Sequence, residues 1–171
     1  MGVNRYKKHL VVLLEDKPYR NIVNGVKILP NAKYDVMDIK NPCGGWGKVF
    51  DELEKNLHLL RNSECNILLL MDFDDREGSS STFDSRKRML NAIVPPEYTN
   101  RVFLLGVNHE ESEALKDFFG MPQFEKIGQR LIKDCPTGDL SDWQNTHLEC
   151  NLPEIERMRE NGVFDWLFPA S

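Results

Sequence analysis

The chain reads as an α/β protein: a three-layer α/β/α arrangement on a mainly parallel four-stranded sheet, followed by a C-terminal helical extension. Three observations predict this. Four short apolar runs recur along the first two thirds: His9 to Leu14, Tyr34 to Ile39, Asn66 to Met71 and Val102 to Leu105. Segments with apolar residues at helical spacing separate them, and strands that alternate with helices imply a parallel sheet covered on both faces. The final third carries no strand-like run. The expected organisation is one domain over 1–171, with an α/β core at 1–120 and the helical extension at 121–171.

Each element has a local cause. His9 to Leu14 is short and apolar, as a buried strand should be. Pro18 opens a helix through Ile28, with Ile22, Val23 and Val26 on one face. Tyr34 to Ile39 alternates apolar and polar, which predicts a less buried strand. Asn41 to Gly45 holds strong breakers and forms a loop. Trp46 to Arg61 repeats apolar residues at helical spacing, with acids early and bases late as the helix dipole favours. Asn66 to Met71 is the third strand. Gly78 to Thr82 is a loop, and Thr82 or Asp84 caps a helix that Pro95-Pro96 stops after Val94. Val102 to Leu105 is the fourth strand, and Glu110 to Phe119 is a helix closed by Gly120. Phe124 to Lys133 is a further helix. Pro136 to Cys150 is irregular, with Trp143 as its anchor. Pro153 opens a last short helix, and Trp166-Leu167-Phe168 docks the C-terminus.

Composition narrows the function. With 40% hydrophobic and 29% charged residues, the chain is ordinary for a globular protein. A net charge of −5 argues against a generally basic nucleic-acid-binding surface, though not against a local basic groove. None of Cys43, Cys65, Cys135 and Cys150 forms a CxxC pair, so zinc is not expected. Met1 to Lys8 is polar and basic without a long apolar stretch behind it, and no apolar run is long enough to span a bilayer. The expectation is a cytoplasmic protein with no membrane partner.

The acids carry the chemical signal. The run from Leu68 to Met71 ends in Asp72, Asp74, Asp75 and Glu77 within six positions. Residues i and i+2 of a strand share a face, so Asp72 and Asp74 are expected to point the same way where a buried strand emerges. Two carboxylates forced together repel, and a divalent cation relieves that repulsion; Mg²⁺ takes carboxylate and water oxygens. In an open parallel sheet the ligand site lies beyond the carboxyl ends of the strands. The first strand ends in Glu15 and Asp16, the third in Asp72, Asp74 and Asp75, and the fourth is followed by Glu110, Glu111 and Glu113. All are expected on one rim.

An apolar strand ending in Glu, then a later strand ending in Asp-x-Asp and a nearby Gly, resembles the Toprim domain of primases, topoisomerases and the overcoming-lysogenization-defect nucleases. The matching residues are Glu15, Asp72 and Asp74. Asp75-Arg-Glu-Gly78 is similar to the DREG of bacterial topoisomerases, one residue late because of the extra Asp75, and Asp16 stands after Glu15 where many members have Gly. The segment Val107 to Leu115, with Glu111-Ser-Glu113, resembles a third acidic element of small uncharacterised bacterial Toprim-like proteins. The likeness spans roughly Leu10 to Gly120. It implies Glu15 as general acid or base and Asp72 and Asp74 as ligands of Mg²⁺ (or Mn²⁺). It also implies a metal-dependent nuclease or phosphotransfer enzyme that meets nucleic acid transiently. Similar small proteins belong to mobile-element and phage-defence systems, which implies a protein partner from the same operon or system.

Other readings stand beside this one. Asp16, Asp75, Glu77, Glu111 and Glu113 are possible further site residues. Acids at 110, 111 and 113 are also simply favoured in a helix's first turn. Arg76, Arg86 and Lys87 could meet phosphates, although an exposed helix face is the simpler expectation for Arg86-Lys87-Arg88. His109 is the one histidine near the expected rim. Gly44-Gly45 could cradle a phosphate but lacks the Lys-Ser/Thr of a P-loop. A haloacid-dehalogenase-like phosphatase also places Asp-x-Asp after a buried strand, yet Arg76 stands where that family has Thr or Val. A non-catalytic interaction module with an acidic rim is the third alternative.

Overall fold

A computed structural model describes residues 2–74, 76, 78–109 and 111–169. Four strands, β1 (His9–Leu14), β2 (Met37–Ile39), β3 (Cys65–Leu70) and β4 (Val102–Leu105), form one wholly parallel sheet in the order β2-β1-β3-β4. The register runs from His9 opposite Cys65 to Leu14 opposite Leu70, and from Ile67 opposite Val102 to Leu70 opposite Leu105. All residues of β1, β3 and β4 are buried, as a strand covered on both faces requires. The second strand is shorter than its alternation predicts: at the sheet edge, Tyr34–Val36 winds into a 3-10 turn and leaves three residues to pair with β1.

Alternation divides the core in two. Leu10, Val12, Leu14, Leu68, Leu70, Phe103 and Leu105 face α1 (Lys17–Lys27), α5 (Phe124–Ile132), α6 (Leu152–Glu160) and α7 (Val163–Leu167). Val11, Leu13, Ile67, Leu69, Val102 and Leu104 face α2 (Trp46–Asn56) and α3 (Phe83–Ile93). The three-layer α/β architecture expected from the sequence is therefore the observed one. Thr82 rather than Asp84 caps α3, its hydroxyl accepting from the Ser85 amide at 3.1 Å. The helix expected from Glu110 is confined to α4 (Ala114–Phe119), which leaves Glu111 and Glu113 on the loop before it. Gly120 ends α4 at φ 62°, in the left-handed region where glycine costs least.

The segment after Gly120 is helical, as expected, and it shares one face of the sheet with α1. Helix α5 crosses α1 at near-contact: a methyl added to Gly128 would stand 2.1 Å from the Ile22 carbonyl oxygen, and one on Gly25 would stand 2.1 Å from that of Glu125. Helix α6 carries Glu154, which is only 3% exposed. Its carboxylate accepts from the Leu104 amide at 3.0 Å, Lys87 Nζ at 2.7 Å and Arg157 Nε at 2.7 Å. Burial pushes that carboxyl up, but the bonds from Arg157 and Lys87 outweigh it and hold it below the usual range. Trp143 anchors the irregular stretch through its indole N–H on the Leu131 carbonyl at 2.8 Å.

Two substitutions test this packing. Gly128→Ala should cost about 1–3 kcal/mol by forcing α5 off α1, and Glu154→Ala should cost about 3–5 kcal/mol by leaving Lys87 and Arg157 unpaired. Denaturant unfolding of each variant measures both, and losses under about 0.5 kcal/mol, the scale of a neutral surface change, would refute them.

Candidate functional site

The sheet order creates the site. The chain leaves β1 for β2 on one side and β3 for β4 on the other, so a crevice opens between the carboxyl ends of β1 and β3. Glu15 follows β1 directly, and its amide continues the ladder by donating to the Leu70 carbonyl at 3.0 Å. Asp72 lies two residues past β3, and its amide donates to Glu15 Oε2 at 2.8 Å. Asp16 sits at the N-terminus of α1 in extended conformation.

Asp72 is the centre of the arrangement. Its Oδ1 accepts from the Tyr19 hydroxyl at 2.5 Å and from the Ser112 amide at 3.2 Å. The Tyr19 oxygen itself accepts from the Val107 amide at 3.0 Å, so α1, β3 and the loop after β4 converge on one carboxylate. The Arg86 guanidinium donates to the Asp72 carbonyl, and its carbon lies 4.3 Å from the Trp46 ring centroid, within cation–π range. Burial, then the Glu15 and Asp16 charges, push the Asp72 carboxyl up to about 7; the Tyr19 hydrogen bond opposes this. Burial and the Asp72 charge raise the Tyr19 hydroxyl well above its ordinary value, so it stays a donor. Asp16 is also raised, by burial first, then by Glu15, with smaller contributions from Glu113 and Glu111. The Tyr19 amide opposes this from a position that falls short of hydrogen-bond geometry.

Unmatched polar atoms lie on the residues around Asp72. Among the described residues, Asp16 Oδ1 and Ser112 Oγ are buried without a partner, as is Arg86 Nε. Glu15 bonds through Oε2 and Asp72 through Oδ1, each keeping a second carboxylate oxygen unbonded within the described residues. No set of three His, Cys, Asp or Glu among those residues offers three ligands to one ion. Mg²⁺ does not need three: one or two carboxylates with retained waters are its common arrangement. The donor set therefore fits a hard divalent cation held by Asp72, with Glu15 and Asp16 beside it.

The other candidate residues fall differently. Asp74 is turned to Arg76: its Oδ1 accepts from the Arg76 amide at 2.7 Å and its Oδ2 from the guanidinium at 2.9 Å. These bonds, the amide first, hold its carboxyl below the usual range. Glu111 and Glu113 are exposed and line an open recess with Asp117. Asp75, Glu77 and Glu110 lie outside the described residues. His109 is exposed with φ 73°. The exposed-face expectation for Arg86-Lys87-Arg88 is overturned at its first two positions. Arg86 is 3% exposed and underlies Asp72, and Lys87 is bound to Glu154; only Arg88 is exposed. Helical spacing carried that signal, since Arg86 lies three residues after Phe83 and four before Leu90. Tyr19 and Ser112 were missed. Tyr19 shares a face with Val23 and Val26, which marks it as core but says nothing of Asp72.

Compared with protein-family models, curated proteins and solved structures, the chain matches none.

A stability measurement tests the state of Asp72. A carboxyl raised in the folded chain holds a proton that the unfolded chain, near its ordinary 3.8, has lost. Stability from this group is thus greatest below about pH 4, falls up to about pH 7 and is level above. Asp72→Asn should flatten that slope and gain about 1–3 kcal/mol at pH 8, discounted for partial exposure. An unchanged slope in denaturant unfolding between pH 4.5 and pH 8 would refute it.

Proposed function

We propose that this protein is a Mg²⁺- or Mn²⁺-dependent nuclease, or a related phosphotransfer enzyme acting on nucleic acid, of the Toprim-like kind. The observation that carries the reading is the meeting of Glu15 and Asp72 at the β1/β3 switch point, the Asp72 amide donating to Glu15 at 2.8 Å, with Asp16 Oδ1, which has no partner among the described residues, next in the chain. A bound divalent cation would neutralise charge on the attacking and leaving oxygens of a phosphodiester. The chain's own residues set the geometry for it. The Asp72 amide aims the Glu15 carboxylate through Oε2, which leaves Oε1, unbonded among the described residues, to take or give a proton. Tyr19 and Ser112 fix Asp72 Oδ1 and turn Oδ2 toward an ion. Arg86 and Trp46 hold the Asp72 backbone from below.

Of the basic residues proposed for phosphate, Arg76 alone is exposed; Arg86 and Lys87 are occupied within the fold. Its pairing with Asp74 is a surface one that solvent screens, and a phosphate could replace it. Release of Arg76 would free Asp74 as a further ligand on the face Asp72 shares. The likeness of the run at Asp72 to the Toprim motif supports the same roles.

The experiment pairs metal binding with cleavage. Calorimetry with Mn²⁺ should show binding that Asp72→Ala abolishes and that Glu15→Gln and Asp74→Ala weaken less. Cleavage of single- and double-stranded DNA or RNA should fall at least about 100-fold in the first two variants, the scale of losing a catalytic acid or base, with circular dichroism unchanged. Binding of Mn²⁺ with turnover only of small phosphate esters would favour the phosphatase reading. No Mn²⁺ binding by the native chain would sink both.

A further inference from the structure

A cavity of about 110 Å³ lies inside the layer between the sheet and α1, α5, α6 and α7. On the measure by which one water needs roughly 10–15 Å³, this is several waters' worth of space and more than a packing defect. Its wall includes Val23, Leu70, Leu105, Leu131 and the ring of Tyr19.

The polar groups in that wall are all engaged elsewhere. The Tyr19 hydroxyl donates to Asp72 and accepts from Val107. Asn151 donates to the Gly106 and Leu148 carbonyls and accepts from the Gly106 amide. The Trp143 indole and the Cys135 thiol both donate to the Leu131 carbonyl. A water inside would need two to four polar partners and would find none unengaged. A polar ligand would likewise bury its groups unmatched, at a cost of a few kcal/mol each. Only a molecule without hydrogen-bonding groups gains by entering. Ile22 and Ile132, half-buried while the rest of the wall is buried, mark where the cavity comes nearest the surface.

We propose that this cavity is a binding site for a small, uncharged, wholly apolar molecule of about benzene size. It is separate from the acidic crevice and does not depend on the metal reading. Tyr19 is the shared wall: its ring faces the cavity and its hydroxyl holds Asp72.

Benzene, with phenol as the polar control, tests it on the native chain. Benzene should raise Tm saturably and shift the NMR methyl resonances of Val23, Leu70, Leu105 and Leu131, whereas phenol should bind at least 10-fold more weakly. Val23→Leu, which adds a methylene into the space, should raise Tm without ligand and weaken benzene binding at least 5-fold. As the Leu variant can fail by overpacking, xenon titration of the native chain followed by the same methyl shifts gives a second reading. Absence of xenon and benzene shifts at those methyls, equal affinity for phenol, or undiminished benzene binding by a folded Val23→Leu variant would each overturn the proposal.

Discussion

The pairing of β1 with β3 governs the rest of this structure. Six consecutive residues of each strand are matched, from His9 with Cys65 to Leu14 with Leu70, and both strands are buried on both faces. A slip of one residue would exchange the two core faces throughout, sending Leu68 and Leu70 toward α2 and α3, so register is firmly set. With that register fixed, Glu15 has to emerge beside Asp72. The acid pair therefore follows from the hydrophobic pairing, and the energy that brings like charges together comes from apolar burial behind them. Rigid strand ends also hold the carboxylates with little freedom, which is what a small cation with strict geometry requires.

A second layer of charges supports this rim from within. Arg86 carries its charge to the Asp72 carbonyl and lies against Trp46 and Phe73, so α3 is tied to the end of β3. At the next position of the same helix, Lys87 reaches Glu154 on α6, and Glu154 also accepts from the Leu104 amide in β4. The basic run after the acidic loop thus connects both helical layers to the sheet. Removing Arg86 would strip the Asp72 carbonyl of its guanidinium and removing Lys87 would take one of three donors from the buried Glu154, so their effects on any activity would arrive through the fold rather than through a phosphate.

Much of this was legible in the sequence, for physical reasons that also explain what was not. Strands such as Val102 to Leu105 were readable because burial on both faces leaves an unbroken apolar run, and the acids past Leu14 and Leu70 were readable because parallel strands end on one rim. What sequence conceals is pairing at a distance. Nothing near Tyr19 announces that its hydroxyl meets Asp72, 53 positions away. Glu154 and Lys87 are 67 positions apart, and each looks like a surface charge until α6 is placed on the sheet. Alternation persists just past β3: the Met71 and Phe73 amides donate to the Leu105 and Val107 carbonyls and both side chains are buried, so Asp72 and Asp74 fall on the other side, but nothing local shows that Arg76 takes up the Asp74 carboxylate.

The energetics of Asp72 bear on the purpose of the crevice. A carboxyl whose folded value stands near 7 is a net burden to the fold at neutral pH. The structure could have relieved it at small expense, since an asparagine in the same place would keep the bonds from Tyr19 and Ser112 without the charge. Instead, Glu15 and Asp16 are added beside it, and the hydrogen bonds present fix the oxygens without supplying a counter-charge; the nearest guanidinium, that of Arg86, is directed to the Asp72 carbonyl and not to its carboxylate. Strain of this kind concentrates where a ligand relieves it. A divalent cation would do so at every member of the cluster at once, lowering the Asp72 and Asp16 values together, which a single buried lysine or arginine could not do while leaving the crevice open.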